Sequence, residues 1–173
     1  RTWRPARVRT TGVGCSGGRS SSHLSTQLLG RVARGGSDGG WLADGIRAVC
    51  SSLGCSRGRS DSHLSTQLGV GLLLGRGPGL TPSGDDALAG ILLVAHALGL
   101  SAPLAAAVRS RLGATTAVSA ALLDAAADGY AAADVVALVN AALSGDDATL
   151  EGALPAVLAI GHTSGRDLVA GIA

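Results

Sequence analysis

Two short segments gather serine, threonine, aspartate and glycine densely enough to do chemistry: GRGPGLTPSGDDALAG at 75–90 and GHTSGRDLVAGIA at 161–173. Aligned at an offset of 81 they share S-G-x-D-x-x-A-G-I, with Ser83 on Ser164, Gly84 on Gly165, Asp86 on Asp167 and Gly90 on Gly171. Each reads as the start of a helix. Serine at the cap accepts a first-turn N–H, aspartate reaches back toward the cap, and Ala–Gly one turn on lets another backbone approach. Two such helices are expected to cross at their small residues and bring both N-termini together. Helix N-termini hold free N–H groups and partial positive charge, so they receive anions. The glycines at 75, 77 and 79 let further amides turn inward. The expected anion contacts are therefore Gly77, Gly79, Thr81, Ser83, Gly84, Thr163, Ser164 and Gly165, with Asp167 beside them. Asp85, Asp86 and His162 are the candidate acid–base groups. Asp85 has Arg166 as its counterpart in the second segment, and a Mg²⁺ contact at Asp85 is a further expectation. The plain alternative is ordinary helix capping and ordinary close packing.

Several chemistries are excluded. All 14 basic residues are Arg, so a Walker lysine, a Schiff-base lysine and a Ser–Lys dyad are absent from this chain. The glycines at 75–79 do not follow the dinucleotide fingerprint, and neither of the two segments contains a G-x-S-x-G elbow. Aromatic residues make up 2% of the chain, too few for a stacking platform for single-stranded nucleic acid.

The elements that must position these residues lie in a chain of 173 residues, enough for one domain with a core. From about Leu68 the chain is rich in Ala, Leu and Val at helical spacing, and it reads as all-α. One helix is expected from about Gly84 to Leu98, with Leu88, Ile91, Leu92 and Ala95 on its buried face and a stop at Gly99. A second covers about Leu104–Leu112 and ends at Gly113. A third follows a Thr115 or Thr116 cap, buries Val118, Ala121, Leu122 and Ala125, and ends at Gly129. A fourth buries Val135, Leu138, Val139 and Ala142 and stops at Ser144–Gly145. Asp146 or Asp147 caps a fifth, kinked or restarted at Pro155. A sixth opens at His162–Thr163–Ser164. Residues 87–108 carry no formal charge and are long enough to span a bilayer, yet Gly99, Ser101 and Pro103 interrupt them, so a core helix plus loop is expected.

Residues 1–67 differ. GCSGGRSSSHLSTQL at 14–28 returns as GCSRGRSDSHLSTQL at 54–68, and both copies have little apolar periodicity. This third is expected to be irregular or disordered, or an artefact of reading frame. Residues 1–37 hold seven Arg and no acid, an arm whose charge suits nucleic acid or an anionic surface, or simply a solvated tail. Cys15 with His23 and Cys55 with His63 are spaced too widely for a zinc site, and none is expected. An odd cysteine count without a secretory signal points to a reducing, cytoplasmic setting. The lack of methionine makes a fragment the expectation.

GRGPGLTPSGDDALAG and AIGHTSGRDLVAG (159–171) closely resemble the two signature blocks of the AllH family, and TTAVSAALLDAAADG between them is similar as well. The resemblance covers about residues 68–173. It implies an accessory subunit of an oxamate carbamoyltransferase acting in anaerobic purine (allantoin) catabolism. That complex interconverts oxalurate and phosphate with oxamate and carbamoyl phosphate. The expectation is a mainly helical domain at 68–173, with a Gly-rich loop before its first helix. It would bind a small anionic metabolite, carboxylate or acyl phosphate, and associate with the other subunits of the complex, with no membrane or nucleic acid among its partners. The alternatives are a non-catalytic helical interaction module and a nucleic-acid binder using the Arg-rich arm.

Overall fold

The computed structural model describes residues 5–10, 27, 29, 31, 40–54 and 59–173. Among them the chain is mainly helical. In order come β1 (Pro5–Arg7), α1 (Trp41–Gly54), α2 (Arg59–Leu73), α3 (Ser83–Ala97), α4 (Ser101–Arg109), a 3₁₀ turn at Leu112–Ala114, α5 (Ala117–Ala127), β2 (Tyr130–Ala132), α6 (Ala133–Ser144), α7 (Asp147–Leu158) and α8 (Ser164–Ile172).

Helix α3 is the core element. Its residues are buried on nearly every side, which is why its sequence is apolar all round between the first turn and His96. It packs against α8 most extensively, and also against α1, α2, α4, α5 and α6. The charge-free run is thus a buried helix, ended by Gly99 at φ 73° with its N–H on the His96 carbonyl at 3.0 Å. Among the described residues no helix is long and apolar enough to cross a membrane. The expected stops hold at Gly129 (φ 82°) and Gly145 (φ 72°), where the left-handed turn suits glycine. Asp146 caps α7 by accepting the Thr149 N–H at 3.1 Å, and α7 runs through Pro155 without restarting.

Four expectations are corrected. The second helix starts earlier, at Ser101, and stops at Arg109, the 3₁₀ turn taking up the rest. Helix α5 turns a different face inward: Val118 is 46% and Leu122 48% exposed, whereas Ser119, Leu123, Ala126 and Ala127 are buried. The reading of residues 68–173 as all-α misses β2, which pairs antiparallel with β1 in the register Pro5↔Ala132, Ala6↔Ala131, Arg7↔Tyr130. A three-residue strand whose partner lies about 125 residues earlier leaves no local signal. Finally, described residues within 40–67 are helical where irregular chain was expected. Leu42 and Val49 bury one face of α1, seven residues apart as a helix requires, and Val70 and Leu73 of α2 are buried too. Cys15, His23 and Cys55, and with them both Cys–His pairings, and most of the Arg-rich arm lie outside the described residues.

Candidate functional site

The two S-G-x-D-x-x-A-G-I helices do cross, and the glycines are the reason. A Cβ on Gly90 would sit 2.3 Å from the Leu168 carbonyl oxygen, and one on Gly171 would sit 2.0 Å from that of Ala87. Leu168 and Ala87 are themselves related by the offset of 81, so the contact is reciprocal. Glycines one position into each helix seat the preceding helices: a Cβ on Gly84 would meet the Leu73 carbonyl at 2.0 Å, and one on Gly165 that of Val157 at 2.0 Å. Two helix hairpins, α2–α3 and α7–α8, are therefore held backbone to backbone by small residues.

The crossing puts the turns before α3 and α8 side by side. Thr81 Oγ1 and Ser164 Oγ lie 2.9 Å apart in a hydrogen bond. The Asp86 carboxyl hydrogen-bonds to both Ser164 and Thr81, with Asp167 and Asp85 close enough to repel it. Asp86 is 8% exposed, and its Oδ2 is buried without a hydrogen-bond partner. Burial is the largest effect on this carboxyl and raises it. The Asp167 and Asp85 charges also raise it, outweighing the Ser164 and Thr81 hydrogen bonds, so that it titrates at about 6. A carboxyl of that kind can give and take a proton near neutral pH.

Asp85 plays a different part. Its Oδ1 accepts the Gly75 N–H at 2.7 Å, and its Oδ2 accepts the Thr115 hydroxyl. The glycine loop thus gives one amide, that of Gly75, to the protein's own aspartate. The left-handed turns at Gly75 (φ 73°) and Gly77 (φ 116°) fold the loop back over the start of α3. The Gly84 N–H donates to the Arg76 carbonyl at 2.9 Å and the Gly165 N–H to that of Ile160 at 3.0 Å, so both amides are engaged within the chain. Neither serine is a cap, contrary to the sequence reading. Pro82 and Thr163 occupy the cap positions, neither makes a side-chain cap hydrogen bond, and Ser83 and Ser164 are the first helical residues. Ser164 is thereby free to point its hydroxyl across to Thr81.

A cavity of about 570 Å³ opens against this cluster. Thr81, Asp85, Asp86, Ser119 and Ser164 supply its polar lining, and their mutual contacts gather them at one end: Ser119 Oγ reaches the Leu80 carbonyl at 3.5 Å, next to Thr81. Apart from the Tyr130 phenol the remaining wall is apolar, from α3, α5, α6, the paired strands and the Ile160–Gly161 turn. Among the described residues no Arg or His lines it. Of the other sequence candidates, Ser83 and Asp167 are buried behind the cluster. Gly77, Gly79, Gly84 and Gly165 shape the backbone, while His162 and Thr163 are exposed and outside the cavity lining. Among the described residues no three of His, Cys, Asp and Glu are arranged to hold a metal ion.

Sequence reasoning missed Ser119 and Thr115. Ser119 stands four residues before Leu123 and seven before Ala126, a lone hydroxyl on an otherwise apolar buried stripe, which is the signal that marks it. Thr116 is the true cap of α5, accepting the Ser119 N–H at 3.1 Å and donating to the Leu80 carbonyl, and it ties α5 to the loop before α3.

A mainly helical fold in which two glycine-crossed hairpins present a buried carboxyl to a cavity is what the chain builds. Residues 73–173 match the family described as oxamate carbamoyltransferase subunit AllH, and the chain belongs to that family. No solved structure matches it.

Proposed function

We propose that the chain serves a carbamoyltransferase complex by holding the amide end of the substrate against Asp86. The family description makes it one subunit among others of an oxamate carbamoyltransferase. The single observation that carries the reading is the Asp86 carboxyl, buried, with an unmet oxygen, at the polar end of a cavity. Ionised, it accepts an amide N–H, and the neighbouring carbonyl is received when Thr81 or Ser164 exchanges its one hydroxyl hydrogen out of the bonds these two make to Asp86 and to each other. In the transfer from carbamoyl phosphate to oxamate, the oxamate nitrogen bonds to the carbamoyl carbon and the C–O bond to phosphate breaks. Phosphate leaves with the bonding pair, the nitrogen gives up a proton, and Asp86 takes it. Its titration near 6 suits that task.

The phosphate itself is not what this cavity favours. Its polar lining is acidic or neutral, and the helix-start amides of Gly84 and Gly165 are engaged. Countercharge for a phosphate would come from other subunits of the complex. Leu80, Leu122, Tyr130 and Ile160 are exposed at 72%, 48%, 43% and 36%. Leu122, Tyr130 and Ile160 line the cavity and Leu80 precedes its Thr81, and all four would be covered by such a subunit. The setting that follows is cytoplasmic purine (allantoin) degradation.

Thermal unfolding with added ligands tests this, because a ligand bound only by the folded state raises its stability. Oxamate at millimolar concentration is expected to raise Tm, inorganic phosphate to leave it unchanged, and Asp86→Ala to abolish the oxamate shift. Equal stabilisation by phosphate and oxamate overturns the reading.

A further inference from the structure

The polar cluster occupies one end of a cavity far larger than an oxamate-sized substrate requires. At about 570 Å³ it falls among pockets that enclose drug-sized molecules, roughly 300–1,000 Å³. The rest of its wall is mostly aliphatic, Ala89, Leu93, Leu123, Val135 and Leu168 among it, and Tyr130 on the strand side is its one further residue with a polar side-chain atom. Asp86, Ala89 and Leu93 lie on one face of α3, at spacings of three and four residues. Seven residues at 1.5 Å each carry the wall about 10 Å from the carboxyl. Water in so apolar a slot lacks the two to four polar partners it needs, which favours an apolar occupant.

We propose that the site takes a primary amide or ureido head on an aliphatic body, the head at Asp86, Thr81 and Ser164 and the body along the Ala89–Leu93 wall. This rests on the assignment of Asp86 as the amide-binding group, and extends it from a compact substrate to a class of amphipathic amides. The head remains an N–H donor beside a carbonyl. The body replaces weakly held water by contact with Leu and Val side chains, which strengthens binding with each methylene.

Titration calorimetry of the whole chain with acetamide, butyramide and hexanamide, alongside oxamate, tests it. Affinity is expected to rise about fourfold per added methylene, roughly 250-fold over the four methylenes from acetamide to hexanamide, with an increasingly negative heat-capacity change. Ala126→Leu, which fills the apolar end, is expected to pull hexanamide back toward butyramide. A series that stays flat while oxamate binds overturns this inference and leaves the Asp86 reading in place. A graded series without oxamate binding upholds the inference and removes oxamate as substrate. Hexylammonium binding more tightly than hexanamide overturns the amide assignment of the head, and absence of binding by every probe overturns both.

Discussion

Replacing Gly90 by alanine tests the helix crossing on which the site depends. An alanine Cβ at this position would lie 2.3 Å from the Leu168 carbonyl oxygen and 3.1 Å from both the Cα and the carbonyl carbon of Gly171. These are backbone atoms in the middle of two packed helices, so relief requires α3 and α8 to separate. Intrinsic propensity favours Ala over Gly by about 1 kcal/mol in a helix interior, while overpacking of this kind costs about 1–3 kcal/mol and sometimes more. With the overlap falling on backbone, the upper part of that range applies and the net loss is about 2 kcal/mol. Gly152, exposed in α7 with nothing within 4 Å of its would-be Cβ, is the internal control. Gly152→Ala should gain about 1 kcal/mol through propensity alone. For a chain of this size the two substitutions should move Tm in opposite directions, roughly 4–8 °C down at 90 and 2–4 °C up at 152. Reversible urea or thermal unfolding of both variants measures it. Equal stabilisation by the two would refute the reasoning, because Gly90 would then have no neighbour to displace.

Other consequences follow from the same contacts. Asp86 titrates at about 6 in the folded chain against 3.8 as its ordinary value. The folded state therefore holds this proton more tightly, and its contribution is full below about 3.8 and lost as pH rises through 6. Asp86→Asn, which cannot ionise, should match wild type near pH 4 and exceed its stability by up to about 3 kcal/mol at pH 8; a difference independent of pH would contradict it. Asp85→Asn should cost about 1–3 kcal/mol, since the carboxylate that receives the Gly75 N–H and the Thr115 hydroxyl becomes an amide. It should also speed hydrogen exchange in residues 75–80, and unchanged protection there would count against Asp85 as the loop's anchor. Ser164→Ala removes the hydroxyl shared by Thr81 and Asp86. It should raise the Asp86 titration further, because a hydrogen bond that favours the charged form is lost.

What could be read in the sequence was local repetition, and what could not was reciprocity. The shared S-G-x-D-x-x-A-G-I pattern placed Gly90 and Gly171 at a helix crossing, because paired small residues have few other uses at that spacing. Thr81, Asp86 and Ser164 meet there for the same reason. The fate of the amides was not legible, since nothing in the residue types says that the Arg76 and Ile160 carbonyls turn back onto Gly84 and Gly165. Nor did the pattern reveal that the Gly75 amide is taken by Asp85, a side chain already in the chain. Helix α5 was misread by one residue because Ala-rich stretches offer two nearly equivalent faces, and the hydroxyl of Ser119 disguised the buried one. The helices at 41–54 and 59–73 were hidden by serine and glycine, whose burial depends on neighbours, as in the bond between Thr66 and Ser52 at 3.0 Å.

Asp86 is the group proposed to meet substrate. Carbon-detected NMR titration of its side-chain carboxyl, with and without oxamate, measures this directly. We expect a midpoint near 6 in the free protein and a clear displacement of that midpoint when oxamate is added. A midpoint at the ordinary 3.8, unmoved by oxamate, would contradict the account.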